Sequence, residues 1–315
     1  MILQPMGTMS SPLLRVSDEV RQAKADDTPI VALESTILAQ GLPYPQNLET
    51  AQAAAGCIRA SGAVPATIAL IGGRIAVGLT QSEIERICTA TDVKKAGRSD
   101  LPHALMSGEL TATTVSSTMI GAHLAGLDVF ATGGIGGVHR GFDLNLDISQ
   151  DLTELAETPV IVVASGAKAI LDIAKTLEVL ETLGVTVATY GQDDFPAFWS
   201  RSSGYPSPNR FDCPSDFAKA FLIRRRLNLP GGLLAANPIP EEAAIPAARI
   251  TPWIESALAE AERRQVTGKR VTPYLLQKIT EESDGESLRA NMELVKCNAT
   301  LAAMIATALL DVSAL

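Results

Sequence analysis

The chain has 315 residues, of which 46% are hydrophobic and 19% charged, so it carries enough apolar material for one large globular core. Its net charge of -9 and pI near 5.0 exclude broad binding to a nucleic-acid backbone, because such binding needs a clustered basic surface. The cysteines form no CxxC pair, so neither a zinc site nor a disulfide framework is predicted, and a reducing, cytoplasmic compartment is favoured.

The N-terminal segment, residues 1–27, contains acidic residues and no continuous apolar stretch, so it differs from a signal peptide. We interpret it as an N-terminal extension with a helix over residues 13–25, ahead of a single domain that spans residues 28–315. No run elsewhere approaches the roughly 20 apolar residues of a membrane span, so no membrane partner is expected.

Strands and helices are predicted to alternate along the first part of the chain. Residues 30–33 are apolar and β-branched, which predicts a buried strand that ends at Glu34. A Gly-Gly dipeptide predicts a hairpin turn, and the capping box of Thr80 and Glu83 predicts the start of a helix. The predicted elements up to residue 125 are strands at 30–33, 67–71 and 74–79, and helices at 48–61, 83–90 and 115–125.

Two later strands lead directly into polar or glycine-rich turns. The strand at 127–131 precedes a glycine-rich loop at 132–141, and the strand at 160–164 precedes a Ser-Gly-Ala-Lys turn that ends at Lys168. Apolar residues recur at helical spacing from residue 170, which places Lys168 at a strand-to-helix junction. The remaining predictions are strands at 185–189 and 232–236, helices at 251–265, 273–282 and 287–310, and a functional loop or lid at 195–214.

This alternation indicates an α/β fold, a three-layer α/β/α arrangement with a largely parallel central sheet in a single domain. Ligands of such sheets bind at the carboxyl ends of the strands. Glu34 and Lys168 each follow a predicted strand, so both are expected at that edge.

Lys168 is the strongest candidate for covalent chemistry, because a lysine that leaves an apolar strand is poorly solvated, which favours the neutral, nucleophilic amine. A solvated helix N-terminus is the equally weighted alternative. Glu34 is a candidate general acid or base, although a cap that accepts backbone hydrogen bonds is the simpler explanation of its position. Lys95 and Arg98 could supply positive charge to a phosphate, but such a loop pair is usually just solvated.

An acidic segment follows the glycine-rich loop, with Asp143, Asp147 and Asp151 at four-residue spacing. Carboxylates suit Mg²⁺ or Mn²⁺, which retain water ligands and need only one or two protein carboxylates; an acidic surface turn is the alternative. The loop itself lacks the GxGxxG pattern of dinucleotide sites, because His139 occupies the position of the last glycine. Contact of its amides with phosphate or sugar, or a simple tight turn, both remain open.

Six segments occur along the chain in the order VALESTILAQGLPYPQN from Val31, GAVPATIA from Gly62, FATGGIGGVHRG from Phe130, DISQDL from Asp147, GAKAILD from Gly166 and ANPIP from Ala236. Together they resemble the pseudouridine-5'-phosphate glycosidase family, also called pseudouridylate synthase, which includes proteins of indigoidine biosynthesis. The resemblance covers about residues 29–310. Lys168 is preceded by Ala-Ser-Gly-Ala where the family usually has Cys-Ala-Gly-Ala, a departure that concerns substrate preference more than chemistry.

The resemblance implies that Glu34 donates a proton, that Lys168 forms a Schiff base with the sugar, and that Asp147 binds Mn²⁺, with Mg²⁺ as an alternative. The positions that match the family's substrate contacts are Lys95, Val115, His139, Ser149, Gln150, Asp151 and Asn291. Among these, Asn291 matches an asparagine that contacts the uracil edge, and His139 matches the family's glycine-rich motif near the sugar phosphate.

The activity implied is reversible cleavage of the carbon-carbon glycosidic bond of pseudouridine 5'-phosphate to uracil and ribose 5-phosphate, by a glycosidase classed as a carbon-oxygen lyase of pseudouridine catabolism. The resemblance also implies a cytoplasmic homotrimer. Two alternatives stay open: a related lyase or synthase of C-nucleoside phosphates with another base, and a non-catalytic homologue that binds sugar phosphates.

Overall fold

The structure is a computed structural model that describes residues 11–141 and 146–313. Its strands are β1 (Leu14–Val16), β2 (Ile30–Leu33), β3 (Val64–Ile71), β4 (Arg74–Val77), β5 (Lys94–Ala96), β6 (Thr111–Thr113), β7 (Val129–Ala131), β8 (Val138–His139), β9 (Ile161–Ala164), β10 (Leu171–Asp172), β11 (Thr186–Tyr190), β12 (Arg210–Phe211) and β13 (Leu233–Ala236). Its α-helices are α1 (Asp18–Ala25), α2 (Gln46–Ala60), α3 (Gln81–Thr89), α4 (Leu101–Ser107), α5 (Val115–Leu124), α6 (Gln150–Glu157), α7 (Ile173–Thr182), α8 (Pro214–Arg226), α9 (Ala247–Arg263), α10 (Val271–Glu282) and α11 (Glu286–Ser313).

One large sheet runs through the described residues in the order β1-β4-β3-β2-β7-β9-β13-β11-β12, with β6 beside β3 and β5 beside β6. Its centre, from β12 to the first half of β3, is parallel. The second half of β3 pairs antiparallel with β4 across Gly72-Gly73, which confirms the predicted hairpin. Strands β8 and β10 form a separate antiparallel pair.

The register of the central strands determines what lies beside what at the sheet edge. Leu33 of β2 is opposite Ala131 of β7, and Ala131 is opposite Val163 of β9. Because these strands are parallel and end at nearly the same level, the residues after them, among them Glu34 and Thr132, emerge side by side.

Helices flank the sheet and cover its apolar strands. Helix α11 packs against β2, β7 and β9, while α5 packs against β2, β3, β4 and β7. Every residue of β9 and β13 is buried, as expected for parallel strands that are covered on both faces. The predicted fold class is therefore confirmed: a mostly parallel central sheet with flanking helices in a single domain.

Helix α11 is, by length and composition alone, apolar enough to cross a membrane. However, 56% of its most apolar stretch is buried inside the protein, where Ala299, Ala302 and Ile305 belong to the core. The helix also contacts α2 and α8. Burial of this kind is typical of the central helix of a globular domain.

The N-terminal segment differs from its prediction. Residues 14–16 form a strand instead of the first turn of a helix, because they pair with β4, Leu14 opposite Ile75. The helix begins only at Asp18, after Ser17, whose hydroxyl accepts a hydrogen bond from the Val20 amide at 3.3 Å.

The segment at 195–214 was predicted as a functional loop or lid, and its first part is instead core. Phe195, Phe198 and Trp199 are each at most 2% exposed, and the Trp199 indole donates a hydrogen bond to the Ser287 carbonyl at 3.0 Å. These aromatic side chains anchor the segment, because burying such large apolar surfaces contributes strongly to stability.

A fully buried amide, Asn298 of α11, joins the strand ends to the helix. Its Nδ2 donates to the Thr132 carbonyl at 2.8 Å and to the Ser165 hydroxyl at 3.1 Å. Its Oδ1 accepts from Nδ2 of Asn237 at 3.0 Å. Thr132, Ser165 and Asn237 follow β7, β9 and β13 directly, so one side chain holds three adjacent strand ends.

We predict that Asn298→Ala lowers the free energy of unfolding by about 3 kcal/mol, since it leaves several buried polar groups without partners. Denaturant unfolding measures the change. The control is Lys296→Ala on the same helix, where loss of the surface ion pair with Glu293 should cost less than about 0.5 kcal/mol. Equal effects of the two changes would show that the amide network is not structurally important.

Candidate active site

A cavity of about 310 Å³ lies at the carboxyl ends of β2, β7 and β9. Every residue named as a candidate from the family resemblance lines it: Glu34, Lys95, Val115, His139, Asp147, Ser149, Gln150, Asp151, Lys168 and Asn291. These residues come from widely separated segments, and the sheet topology brings them together.

Glu34 is the first residue after β2, and its carboxylate accepts a hydrogen bond from the Thr132 hydroxyl, just after β7. This partner is a side chain rather than a backbone amide, which argues against a simple cap. Burial raises the pKa of Glu34, while the positive charge of Lys168 opposes the shift. A carboxyl group in this environment retains its proton to higher pH and can deliver it to a ligand.

Lys168 is half-buried, and its Nζ donates to the Gly134 carbonyl at 2.7 Å. Its position differs from the predicted helix junction, because β10 intervenes and the following helix begins only at Ile173. Lys168 is therefore not at a helix N-terminus, which was the alternative explanation of its position. The turn before it needs glycine: Gly166 has φ +74°, and a Cβ there would lie 2.3 Å from the Pro196 carbonyl oxygen.

Lys95 of β5 is a second amine on the cavity wall. Burial, with the positive charges of Lys168 and Lys269, lowers the pKa of Lys95 to about 8. Lys95 therefore lies within electrostatic range of both of these ammonium groups, which repel its charged form. An anionic ligand would relieve this repulsion.

Arg98, predicted with Lys95 as a phosphate contact, does not line the cavity. Its guanidinium instead pairs with Glu154 at 3.0 Å and Glu157 at 2.5 Å. The Glu154 side chain is only 1% exposed, so its charge requires this partner. Of the two explanations left open for Arg98, phosphate contact and simple solvation, the structure supports neither, because its charge is used in these ion pairs.

His139, near the end of the glycine-rich loop, and Asp147, in the acidic segment after it, both line the cavity. The His139 amide donates to the Asp147 carbonyl at 3.0 Å. Burial lowers the pKa of the His139 imidazole, and the Asp147 charge opposes this. The first acid of the predicted run, Asp143, lies outside the described residues.

A metal centre formed by three or more His, Cys, Asp or Glu side chains does not occur in residues 11–141 and 146–313. A hard cation that retains water needs fewer ligands, and the Asp147 carboxylate on the cavity wall fits one such cation. Both carboxylate oxygens of Asp151 accept backbone hydrogen bonds.

Asp151 acts as a clamp between two parts of the cavity wall. Its Oδ1 accepts from the Ser116 amide at 2.9 Å and its Oδ2 from the Gly136 amide at 2.8 Å. Ser149 caps α6 through the Asp151 amide, and the Gln150 side chain exchanges hydrogen bonds with Ser99. These polar residues shape the wall, since charge-assisted hydrogen bonds to Asp151 fix the start of α5 and the glycine-rich loop.

Asn291 of α11 is 5% exposed and lines the cavity, and its Oδ1 has no hydrogen-bond partner among residues 11–141 and 146–313. A buried acceptor left alone costs free energy, which a ligand donor can recover. Val115, at the start of α5, contributes an apolar side chain to the cavity wall.

Three residues that shape the cavity were not predicted as site residues: Thr132, the partner of Glu34, Phe198, which lines the cavity, and Lys269, at its mouth. Thr132 follows a predicted strand, so its position could have identified it. Phe198 has φ +60°, a backbone feature that its residue type does not indicate.

A mostly parallel sheet with a carboxyl group and two amines around one cavity at its carboxyl edge defines an α/β enzyme. The chain belongs to the family of indigoidine synthase A like proteins, which it matches over residues 19–308.

Known proteins agree with this membership. A protein of Paracoccus denitrificans named pseudouridine-5'-phosphate glycosidase is 57% identical over 300 residues, 95% of this chain and 99% of the relative. A protein of the same name from Solibacter usitatus is 53% identical, covering 93% of this chain and 98% of the relative.

Two solved structures share the fold. The prealnumycin C-glycosynthase AlnA, in complex with ribulose 5-phosphate, superposes with a TM-score of 0.89 at 39% identity, covering 96% of this chain and 99% of AlnA. An indigoidine synthase A-like protein of Thermotoga maritima gives 0.85 at 34% identity, covering 93% and 95%.

Proposed function

We propose that the chain is a pseudouridine-5'-phosphate glycosidase, which reversibly cleaves the C1'–C5 bond to give uracil and ribose 5-phosphate. The observation that carries this proposal is the pairing, in one cavity, of the Lys168 amine with a Glu34 carboxyl whose pKa is raised by burial. The shared name of relatives above 50% identity supports the same substrate.

The chemistry explains why both groups are needed. A C-glycoside has no oxygen or nitrogen leaving group to protonate, so the paired carboxylates of ordinary glycosidases are insufficient. An amine bonded to C1' provides an electron pair that can expel the base. Lys168 supplies that amine, and Glu34 supplies the proton that the departing carbon requires.

The Lys168 amine attacks C1', the C1'–O4' bond breaks, and the nitrogen passes a proton to O4' as the ribose ring opens. The nitrogen lone pair then forms the C1'=N bond while the C1'–C5 bond breaks, and uracil C5 accepts a proton from Glu34. Water hydrolyses the resulting protonated Schiff base, which releases ribose 5-phosphate, regenerates the lysine and returns a proton to Glu34.

The substrate orientation follows from the polar groups that remain. We assign the uracil edge to Asn291, whose amide matches the alternating carbonyl and N–H groups of the base and whose Oδ1 lacks a partner. The phosphate is assigned to the region of Lys95 and His139, with Val115 and residues 149–151 completing the wall. In this arrangement the sugar spans from Lys168 to Lys95.

We further propose that Asp147 holds Mn²⁺, or Mg²⁺, through its carboxylate and water. The support is its place on the cavity wall and the preference of hard cations for carboxylate oxygen. A cation there would offset phosphate charge.

The compartment and assembly are also inferred. The free cysteines in the described chain suit a reducing cytoplasm. A homotrimer is proposed from the family resemblance, and sedimentation should give a mass of three 33.1 kDa chains.

A second candidate is a C-glycosynthase that joins ribose 5-phosphate to another base, favoured by the likeness to AlnA. The two functions share the Schiff base and differ in the base pocket. Release of uracil, compared with condensation of ribose 5-phosphate with a panel of bases, separates them.

The covalent role predicts that borohydride reduction in the presence of ribose 5-phosphate adds the sugar mass to the peptide that contains Lys168. Lys168→Arg should abolish the adduct, because guanidinium does not deprotonate. Lys95→Met is the informative control, since a pKa near 8 makes Lys95 the competing amine. An adduct on Lys95 in active enzyme would transfer the covalent role to that residue.

The acid role predicts that Glu34→Gln lowers kcat by about 10²- to 10⁴-fold, because the amide cannot donate the proton. In the wild type, kcat should fall as pH rises through the raised pKa of Glu34, and this limb should disappear in the variant. Steady-state assays of uracil release across the pH range provide both measurements.

Thermal stability distinguishes proton donation by Glu34 from a purely structural role of this residue. Since the folded-state pKa of Glu34 is raised, its contribution to stability is present below the unfolded pKa and lost as pH rises through the folded value. Above that pH, Glu34→Gln should melt at or above the wild-type temperature. Turnover within a few-fold of wild type, or marked destabilisation, would remove support for proton donation.

The metal proposal predicts that a chelator abolishes uracil release and that added Mn²⁺ restores it in the wild type. Asp147→Asn should need a much higher Mn²⁺ concentration, because a neutral amide binds the cation less well. Asp92→Asn, an exposed acid outside the cavity, is the control and should behave as wild type. Unchanged metal dependence in Asp147→Asn would contradict the assignment.

A further inference from the structure

We propose that Lys269, at the mouth of the cavity, is a specificity-determining residue that binds the phosphate group of the substrate. This inference rests on the proposed function, since it takes a sugar phosphate as the ligand. It adds a residue from an exposed turn to the phosphate region around Lys95.

The position of Lys269 is held by a specific contact. It lies in the 3₁₀ turn Gly268–Arg270 and lines the cavity, with 58% of its side chain exposed. Its Nζ is 2.5 Å from Oδ1 of Asp100, and Oδ2 of Asp100 accepts from the Gly97 amide at 2.8 Å. Asp100 therefore ties the turn to the loop after β5 and keeps the ammonium at the mouth.

Three lysines line the cavity, Lys95, Lys168 and Lys269. Lys95 is affected by the charges of both Lys168 and Lys269, which places it within electrostatic range of each. With C1' bonded to Lys168, the phosphate is at the opposite end of the five-carbon sugar. The sugar must extend away from Lys168, and among the described residues the other lysines or arginines that line the cavity are Lys95 and Lys269.

The contact between Lys269 and Asp100 leaves the ammonium available to a ligand. An ammonium has three donors, of which one carboxylate oxygen engages one. An exposed ion pair contributes little net stability, so moving the Lys269 ammonium from Asp100 toward a doubly charged phosphate costs little free energy. A charge at the rim acts mainly on ligand capture and gives it a dependence on ionic strength.

The turn contains a matched control. Arg270 is the next residue, carries the same charge and is exposed, but does not line the cavity. Lys269→Met and Arg270→Met thus change net charge equally while only the first alters the mouth. Lys269→Arg tests whether a cation of another shape restores binding.

The experiment compares ribose 5-phosphate with ribose as ligands, by calorimetry and by inhibition of uracil release, at low and high salt. Lys269→Met should weaken ribose 5-phosphate binding by about tenfold at low salt, should leave the ribose affinity within about twofold, and should flatten the salt dependence. The KM for pseudouridine 5'-phosphate should rise more than kcat falls, and Lys269→Arg should recover part of the loss. Arg270→Met should match the wild type.

Equal effects of Lys269→Met and Arg270→Met would overturn the proposal, because long-range charge alone would then explain them. Equal weakening of ribose and ribose 5-phosphate would also overturn it, since the turn would then act through shape. Calorimetry needs no turnover, so absence of uracil release by the wild type would contradict the proposed function while the role of Lys269 is still measured. No binding of ribose 5-phosphate by the wild type would contradict both.

Discussion

The geometry of the cavity depends on one buried amide, that of Asn298. In a low-dielectric interior a fully hydrogen-bonded amide strongly favours a single arrangement, since any other leaves polar groups unpaired. Asn298 binds the Thr132 carbonyl, and the Thr132 hydroxyl binds Glu34. The orientation of the proposed acid is therefore linked through two hydrogen bonds to the packing of α11 on the sheet.

The ionisable side chains of the cavity are partly buried, where water solvates their charged forms poorly. Two amines, Lys95 and Lys168, share a partly buried space with a glutamate whose pKa is raised by burial. An anionic group on a ligand would relieve the repulsion between the two lysines. A hydrogen-bond donor on the same ligand would pair with Oδ1 of Asn291, which has no partner among the described residues. The Asp151 carboxylate, by contrast, accepts hydrogen bonds from two backbone amides, and these bonds fix the cavity walls.

Much of this fold could be predicted because its strands are continuous apolar runs. Strands β2 and β9 are flanked by polar turns, so Glu34 and Lys168 could be placed at the sheet edge from position alone. Membership in the family supplied the other candidate residues, since isolated polar residues such as Asn291 carry no local signal of function.

The differences have long-range causes. Helix α7 begins later than predicted because β10 pairs with β8, a contact that periodicity does not reveal. The segment after residue 195 has the composition of a loop, yet its aromatic side chains fill the core. Lys269 resembles any surface lysine until the fold places its turn over the cavity. Each outcome was decided by tertiary packing, which outweighs local propensity.

The order of the elements along the chain has a consequence for biosynthesis. Helix α11 follows all of the described strands, and it carries both Asn291 and Asn298. A nascent chain that has completed its whole sheet still lacks the amide that joins β7, β9 and β13, and the groups paired by Asn298 are separated by up to 166 residues. Domains are synthesised from the N-terminus at about 5–20 residues per second. The edge of the sheet that lines the cavity is therefore incomplete for seconds after Glu34 and Lys168 have been made, and a chain truncated before α11 would leave β2, β7 and β9 without the helix that covers them.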